Sequence, residues 1–229
     1  MLRSTRIVGL AFVTLTVLAV SAAPSHAGGL DLRAGAFFPR ADSNLFRDDS
    51  VLYFVEKDDW IGFSGGAEFS FNLSRTFEVG FGVDGYGRSV DTEYRDFTRP
   101  GDLPIFQTLQ LHIVPTSVTL KFVPGGSHGV TPYFGVGGDL VYYQYEEFGD
   151  FIDFFTDNLE ILPESFESDG AALGGHAAVG LRIPIGHDFA ITAEGRYQFA
   201  QRKRMEEDFD QNIIDVNGAS ATIGIRLRF

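Results

Sequence analysis

Eight segments of this sequence alternate apolar and polar residues with a period of two, the spacing of side chains on a β-strand. They cover approximately residues 30–38, 60–73, 77–90, 106–123, 131–145, 171–183, 189–199 and 216–229. Most of these segments are longer than the ~5–6 residues of an ordinary strand and match the ~9–11 residues of a membrane strand. The pattern therefore favours long strands and argues against a β-sandwich.

The connections between these segments alternate strictly between long and short. Long connections cover residues 39–59, 91–105, 146–170 and 200–215, and short ones cover 74–76, 124–130 and 184–188. Bacterial membrane barrels have short turns on the periplasmic side and long loops outside. We therefore predict an all-β fold, an eight-stranded antiparallel up-and-down transmembrane β-barrel. A soluble lipocalin-like barrel is the alternative, but its interior would be apolar, whereas here the polar face is richer in glycine and charge.

The fourth segment changes its apparent phase in the middle. Leu109, Leu111 and Ile113 share one face, whereas the apolar residues after Pro115 fall on the other. Because proline cannot donate to a strand ladder, we expect a β-bulge at Val114-Pro115.

The first 27 residues have the pattern of a cleaved signal peptide. Arg3 and Arg6 precede an apolar run from Ile7 to Val20, and small residues stand at Ser25 and Ala27. The alternative, a membrane-anchoring helix, would need ~20 apolar residues. We therefore place the barrel domain at 28–229.

The overall charge excludes one class of partner. The chain has 31 acidic and 18 basic residues and no cysteine. An acidic protein without clustered Lys and Arg is a poor ligand for nucleic acid phosphates, and the absence of cysteine excludes disulfides.

Three stretches carry a family resemblance across the barrel domain: the strand 223–229 that ends at Phe229, residues 131–138 and residues 115–122. In these the chain resembles the small eight-stranded bacterial outer-membrane barrels, the OmpA-, OmpX-, opacity- and OmpW-like group. The resemblance implies integral insertion in a Gram-negative outer membrane, with lipid and lipopolysaccharide as partners. It also implies that Phe229 is the insertion signal recognised by the barrel-insertion machinery.

If the apolar faces meet lipid, a charged set faces the lumen. We predict as lumen-lining residues Arg33, Glu68, Glu78, Asp84, Arg88, Lys121, Asp139, Arg182, Glu194, Arg196, Arg226 and Arg228. In a barrel of this size the interior is just wide enough for side chains to fill it, so paired charges could close the lumen. Inward-facing glycines leave open a narrow passage as the sharper alternative.

The third long loop combines acidic and aromatic residues without Lys or Arg between 146 and 169. The spacing of Phe151, Phe154, Phe155, Leu159 and Leu162 fits one face of a helix. We predict a short amphipathic helix over the barrel mouth or in the outer leaflet, similar to the apolar external rim of OmpW-like proteins. The alternative is a loop whose aromatic residues pack on other loops.

Charged clusters in the loops suggest two further partners. Acidic pairs at 48–49, 58–59 and 146–147 and the run 206–208 could attract divalent cations, although a solvated anionic surface also explains them. The basic residues Arg202, Lys203 and Arg204 could contact lipopolysaccharide phosphates.

An enzyme that modifies lipid A is the contrasting class. The histidines of the barrel domain are His112, His128, His176 and His187. His128 and His187 fall in the predicted periplasmic turns, the wrong side for such chemistry, and no serine in a nucleophile motif stands beside His112 or His176. His112 and His176 are predicted to face inward. We assign no catalytic residue, cofactor or metal ligand. The sequence thus predicts a non-enzymatic barrel that passes small or apolar solutes through a narrow lumen or a lateral route, or alternatively a closed-lumen adhesin or structural anchor.

Overall fold

The computed structural model describes residues 28–124, 129–153, 160–205, 209 and 212–229. Within these residues, eight long strands form one closed antiparallel barrel, in which each strand pairs with its neighbours in the chain and the last pairs with the first. They are β1 (Gly28–Pro39), β2 (Gly62–Asn72), β3 (Phe77–Glu93), β4 (Phe106–Phe122), β5 (Thr131–Ile152), β6 (Ile161–Pro184), β7 (Phe189–Ala200) and β10 (Gly218–Arg228). The predicted fold is confirmed. The predicted signal peptide, residues 1–27, lies outside the described residues.

Short elements complete the long-loop end of the barrel. A helix, α1 (Asn44–Leu52), and a 3₁₀ turn (Lys57–Trp60) lie between β1 and β2, and a hairpin of β8 (Lys203–Arg204) and β9 (Ile213–Ile214) lies between β7 and β10. Among the described residues, no helix is long and apolar enough to cross a membrane.

The outward face of the barrel is a belt of exposed apolar side chains. It includes Leu32, Phe63, Phe81, Val118, Leu120, Phe134, Val136, Leu140, Leu173, Val179, Leu181, Ile191, Phe199, Ile223 and Ile225. These residues alternate along each strand with buried polar or small residues. Such a surface is favourable in lipid and costly in water, because apolar area exposed to water costs ~25 cal/mol per Å². The belt therefore marks the part of the barrel that spans a bilayer.

The predicted bulge at Val114-Pro115 is wrong. Val83 lies opposite Thr116 and Tyr86 lies opposite Ile113, so the register of β3 on β4 is the same on both sides of Pro115. Odd-numbered residues of β4 face inward throughout. What changes in the middle of the strand is the character of the lumen, because Leu109, Leu111 and Ile113 face an apolar interior beyond the belt.

The predicted third loop is largely a strand hairpin. β5 and β6 are 22 and 24 residues long, about twice the ~9–11 residues that a membrane strand needs. Phe151 pairs with Leu162 in this hairpin, so these two residues are in strands and the predicted helix does not begin or end there. Phe154, Phe155 and Leu159 lie outside the described residues. The aromatic residues have helical spacing, but strand pairing continues to Ile152, so the spacing led to a wrong prediction for Phe151.

The beginning of the first strand and the end of the last strand are hydrogen-bonded to each other at the short-turn end of the barrel. The backbone N–H of Gly28 donates to the carbonyl oxygen of Phe229 at 2.8 Å. The ring of Phe229 is exposed on the outward face and stacks on Phe69, with ring centroids 5.5 Å apart. Arg228 donates to the carbonyl oxygens of Gly186 and His187 at 2.7 Å each, which ties the last strand to the turn after β6.

Candidate functional site: a charged lumen beneath an apolar cap

The middle of the lumen is filled by a buried set of ion pairs, the central charged cluster, which consists of Arg33, Glu68, Asp84, Lys121, Glu194 and Arg196. Arg33 donates to Asp84 Oδ2 at 2.5 Å and to Glu194 Oε1 at 3.2 Å. Arg196 reaches the same two carboxylates, Asp84 at 3.2 Å and Glu194 at 3.1 Å. Two guanidinium groups thus share two carboxylates across the barrel, and the charges neutralise one another where water is largely excluded.

Lys121 and Glu68 complete this cluster. The Lys121 Nζ lies 2.5 Å from Glu68 Oε1, and both side chains are almost fully buried. Lys121 also lies over the ring of Tyr133, 4.9 Å from its centroid, and Tyr133 donates its hydroxyl hydrogen to Glu194 Oε2 at 2.8 Å. The aromatic ring therefore fills the space beside the ion pairs and ties the two sides of the cluster together.

A second set of ion pairs, the lower charged cluster, lies nearer the short-turn end. Arg182 makes a bidentate contact with Glu78, at 2.6 and 2.8 Å. Arg226 binds Asp31 at 2.6 Å and Glu78 at 3.3 Å. The guanidinium of Arg182 also lies over the Tyr133 ring, 4.7 Å from its centroid. Tyr133 therefore joins the two charged clusters.

A buried hydrogen-bonded chain runs beside these clusters. His176 Nδ1 lies 2.7 Å from Asp139 Oδ1, and its Nε2 lies 3.0 Å from Thr119 Oγ1. The order carboxylate, imidazole, hydroxyl is that of a nucleophilic triad. However, Thr119 has no exposed surface and His176 is 2% exposed, so no substrate atom can approach the hydroxyl. These contacts give Asp139, His176 and Thr119 hydrogen-bond partners inside the wall of the lumen.

The predicted lumen-lining residues fall into three groups. Arg33, Glu68, Glu78, Asp84, Lys121, Asp139, Arg182, Glu194, Arg196 and Arg226 lie inside the barrel. Arg88 is exposed near the long-loop end, where its Nε donates to the carbonyl oxygen of Asp59 at 2.6 Å. Arg228 lies at the short-turn rim. His112, predicted to face inward, is exposed on the outward face, because the register of β4 does not shift.

Sequence reasoning missed Asp31 and Tyr133. Asp31 is 5% exposed and pairs with Arg226, and it shares the inward face of β1 with Arg33. The parity of the strand could have identified it. Tyr133 carries no charge, and its contacts with Lys121, Arg182 and Glu194 depend on three other strands.

A wide vestibule opens at the short-turn end. Its volume is about 1060 Å³. Arg75, Asp188 and Arg228 line its mouth, and Glu78, Arg182 and Arg226 form its floor. The lower charged cluster forms the inner end of the vestibule.

The long-loop end is closed by an apolar cluster that we call the cap. Its buried members are Leu45, Phe46, Tyr53, Val55, Trp60, Tyr94, Ile105, Leu109, Leu111, Ile113, Val141, Tyr143, Tyr145, Ile152, Met205, Phe209, Ile214 and Val216. They come from α1 and the segment after it, the segment that joins β3 to β4, the projecting ends of β4 and β5, and the β8–β9 hairpin with the segment after it. Above the belt the barrel therefore has an apolar interior, the reverse of its membrane part.

Aromatic contacts hold α1 over the mouth. The Phe46 ring lies 5.4 Å from Trp60 and 6.4 Å from Tyr145, and Trp60 lies 6.0 Å from Tyr145. Tyr86, in the barrel wall, donates its hydroxyl hydrogen to the carbonyl oxygen of Trp60. Between the cap and the central charged cluster, a cavity of about 30 Å³ remains, which is room for about two water molecules.

Two carboxyl groups are buried within the cap. Asp49 on α1 is 4% exposed and Glu147 on β5 is 7% exposed. Burial, followed by the nearby Glu147 charge, holds the pKa of Asp49 well above its usual range. Burial also raises the pKa of Glu147 to about 7. Sequence reasoning treated both residues only as members of acidic pairs, because their burial depends on α1 folding onto β5.

The barrel wall has one break in its strand pairing. Asp84 and Gly85 of β3 are not paired with Pro115 and Val114 of β4, although pairing continues on either side. Pro115 has no N–H to donate. The cavity below the cap lies directly inside this break and is lined by Asp84, Gly85 and Pro115.

Of the predicted acidic groups, Asp49 and Glu147 come together inside the cap, and the run 206–208 lies outside the described residues. Asp48 is exposed while Asp49 is buried, and Asp59 accepts a hydrogen bond from the backbone N–H of Glu56. Across the ranges described above, no group of three His, Asp or Glu side chains could hold a metal ion. Of the basic run, Arg202 lies 3.3 Å from both Asp42 and Asp215, so its charge is compensated within the protein.

Comparisons with known proteins identify the fold. No family model and no curated protein matches the sequence. Among solved structures, the outer membrane protein OprG from Pseudomonas aeruginosa matches with a TM-score of 0.56 at 13% identity, covering 89% of this chain and 97% of OprG. Neisserial surface protein A gives 0.49 at 15% identity, covering 89% and 97%. A major outer membrane protein from Thermus thermophilus gives 0.48 at 15%, covering 89% and 100%. The likeness to OprG shows that the chain has the fold of an outer-membrane β-barrel.

Proposed function

We propose that this protein is a non-enzymatic, integral barrel of a bacterial outer membrane, that its lumen is closed to ions and polar solutes, and that it anchors a folded acidic surface outside the cell. One observation carries the proposal: the apolar cap lies directly above the central charged cluster, and a cavity of about 30 Å³ separates them. A hydrated ion would have to displace buried aromatic side chains and then separate buried ion pairs, and both steps are costly.

The external surface supports the second half of the proposal. Exposed acidic residues of the described long-loop end are Asp48, Glu56, Asp58, Asp91, Asp96, Asp102, Glu160, Glu164, Glu167 and Asp169. Glu164, Glu167 and Asp169 stand on the barrel extension, since β6 carries them in a continuous ladder with β5. A rigid acidic platform favours contact with cationic partners, whose approach it accelerates electrostatically.

Conductance of the refolded protein in a planar lipid bilayer tests the closed lumen. We expect no reproducible current steps from correctly inserted barrels. As a positive control, Glu68→Ala with Lys121→Ala and Trp60→Ala removes side chains from both the central charged cluster and the cap, and should give measurable current. Reproducible steps from the unmodified protein would contradict the proposal.

The external role has a separate test. Cells that display the protein should adsorb to a polycation-coated surface more strongly than cells without it. Replacing Glu164, Glu167 and Asp169 by the corresponding amides should reduce that adsorption, and ~0.5 M salt should reduce it further because exposed charges are screened. Equal adsorption by the variant and by cells without the protein would remove the acidic platform as the functional surface.

A second candidate function is lateral passage of apolar solutes through the barrel wall. The observation that favours it is the break between β3 and β4 at Pro115, which adjoins the cavity below the cap. Pro115→Ala provides an N–H that can complete the ladder, and Pro132→Ala, on an outward-facing position of β5, is the matched control. If solute uses this route, uptake of an apolar fluorescent probe into cells should fall in the first variant only. Uptake that is unchanged by Pro115→Ala would exclude the break as the route.

A further inference from the structure

The cap contains a pair of buried carboxyl groups that the closed-lumen proposal does not use. Asp49 lies on the inner face of α1, and its Oδ2 accepts a hydrogen bond from the hydroxyl of Tyr145 at 2.7 Å. Glu147 lies two residues beyond Tyr145 on the same inward face of β5. Both carboxyls therefore occupy one site at the contact between the helix and the barrel extension.

The groups around this site offer no compensating positive charge. Tyr145 and Glu147 face it from β5, Asp48 and Asp49 from α1, Tyr53 from the segment after α1, and Tyr94 from the segment after β3. Arg95, a basic residue of that segment, donates to the carbonyl oxygens of Ser50 and Tyr53. Within the described residues, no Lys or Arg forms an ion pair with Asp49 or Glu147.

The helix that carries Asp49 depends on its packing. Ser43 at its N-cap makes no side-chain hydrogen bond to the first turn, no acidic residue stands in that first turn, and no basic residue stands in the last. A nine-residue helix without these features is marginal in water. α1 is therefore held in place by the burial of Leu45 and Phe46 and by polar contacts at its first residue, where Asn44 binds Asn212 and the N–H of Ile213.

We infer that the cap is a proton-sensitive closure, in which neutral Asp49 and Glu147 hold α1 against β5 at the external mouth and ionisation of both releases the helix. When both groups are charged, two negative charges face each other in an apolar site, and the repulsion adds to the cost of their burial. Movement of α1 into water relieves both costs. It would also expose the apolar faces of Phe46, Trp60 and Tyr145.

The direction of the response follows from the two states. In the closed cap, burial raises the pKa of Glu147 from an ordinary 4.5 to about 7. With the helix released, the carboxyl returns to its ordinary value. The closed cap therefore binds more protons between about pH 4 and pH 7, so its stability is complete below this interval and is lost as the pH rises through it. Since one pKa unit is a factor of ten, Glu147 alone should raise the opening equilibrium constant by about two orders of magnitude across the interval, and Asp49 adds to this in the same direction.

The single tryptophan of the chain makes this measurable. Trp60 is 2% exposed and touches both Phe46 and Tyr145. With the full barrel in lipid nanodiscs, we expect blue-shifted emission and weak acrylamide quenching at about pH 4.5, where an ordinary carboxyl is half protonated. At about pH 8 we expect a red shift and stronger quenching, with a midpoint between about pH 5 and 7 set by the pKa values of a buried and a free carboxyl. Circular dichroism at both pH values should show an intact barrel.

Matched variants assign the response to the pair. Asp49→Asn with Glu147→Gln should keep Trp60 protected at every pH, whereas Glu146→Gln, an adjacent residue on the outward face, should leave the response unchanged. If the double variant does not fold, Glu147→Gln alone should still reduce the pH-dependent change. Quenching that does not vary with pH in the unmodified protein, or a response that persists fully in the pair variants, would overturn the inference. Because fluorescence reports on the cap alone, its result is independent of the conductance test.

Discussion

The Nζ of Lys121 lies 2.5 Å from Glu68 Oε1 at the centre of the barrel, and neither side chain has appreciable contact with solvent. Lys121→Met would leave the Glu68 carboxylate buried with only Arg33 and Arg196 nearby, each 3.8 Å from its other oxygen. We expect a loss of unfolding free energy of ~3 kcal/mol, the lower end of the range for a broken buried pair. Urea unfolding of the barrel in lipid vesicles measures it.

The matching double replacement, Lys121→Met with Glu68→Leu, should regain most of that stability because no charge is then stranded. Arg88→Met, at an exposed position, serves as the control. A single Lys121→Met variant as stable as the unmodified protein would show that the ion pair is not structurally important.

Tyr133 connects the two charged clusters only because Gly180 makes room for it. A Cβ at Gly180 would lie 2.3 Å from the Tyr133 ring. Gly180→Ala should displace the ring, weaken its hydrogen bond to Glu194 and cost ~1–3 kcal/mol of stability, as overpacking does. Gly195→Ala is the control, since no atom lies within 4 Å of its Cβ position. Equal unfolding midpoints for the two variants would contradict the role of Tyr133.

Phe46 anchors α1 in the cap. Phe46→Ala removes its contacts with Trp60 and Tyr145, and a buried Phe→Ala change costs ~3–5 kcal/mol. The comparison is made in the Asp49→Asn, Glu147→Gln background, in which the cap should stay closed at the alkaline pH that trypsin needs. The loss should fall on the cap and not on the barrel, so trypsin should cut at the exposed Arg47 much faster while the barrel remains folded. Val51→Ala, at an exposed position of the same helix, should leave the cleavage rate unchanged. Slow cleavage in both variants would mean that other contacts hold the helix.

Phe229 is predicted to act during insertion more than in the finished barrel. Its ring is exposed and contacts Phe69 on the outward face. Phe229→Ala should lower the folded fraction in the outer membrane of expressing cells, while the refolded variant should lose little stability. Phe189→Ala, which also replaces an exposed outward ring at the short-turn end, is the control. If both variants insert equally well, Phe229 is not a specific insertion signal.

The membrane part of the fold could be predicted from sequence because each residue there has one of two environments. Leu32 and Ile223 face lipid, while Arg33 and Arg226 face the lumen. The strict alternation of apolar and polar residues in the sequence therefore indicates which side chains face each environment. The partners of Arg33 could not be predicted, because Asp84 and Glu194 come from strands 51 and 161 residues away.

The extension beyond the membrane was the part that pattern reasoning failed to predict. Leu109 and Ile113 face inward there, although apolar residues face outward lower on the same strand. The spacing of the aromatic residues around Phe151 suggested a helix. The region is a strand because β6 supplies its pairing partner, and the spacing alone does not reveal that partner. The burial of Asp49 and Glu147 likewise depends on α1 packing on β5, and the Asp49–Tyr145 contact joins residues 96 positions apart.

The reversal of polarity along β4 makes misalignment of this strand unusually costly. A slip by one residue would turn Lys121 toward lipid and Leu111 toward water in the same event, since all side chains of a strand change faces together. In an ordinary membrane strand, only contact with lipid penalises a shifted register. In β4, lipid penalises an outward-facing charge and water penalises an outward-facing apolar residue. The extension above the membrane therefore also secures the alignment of the strands within it.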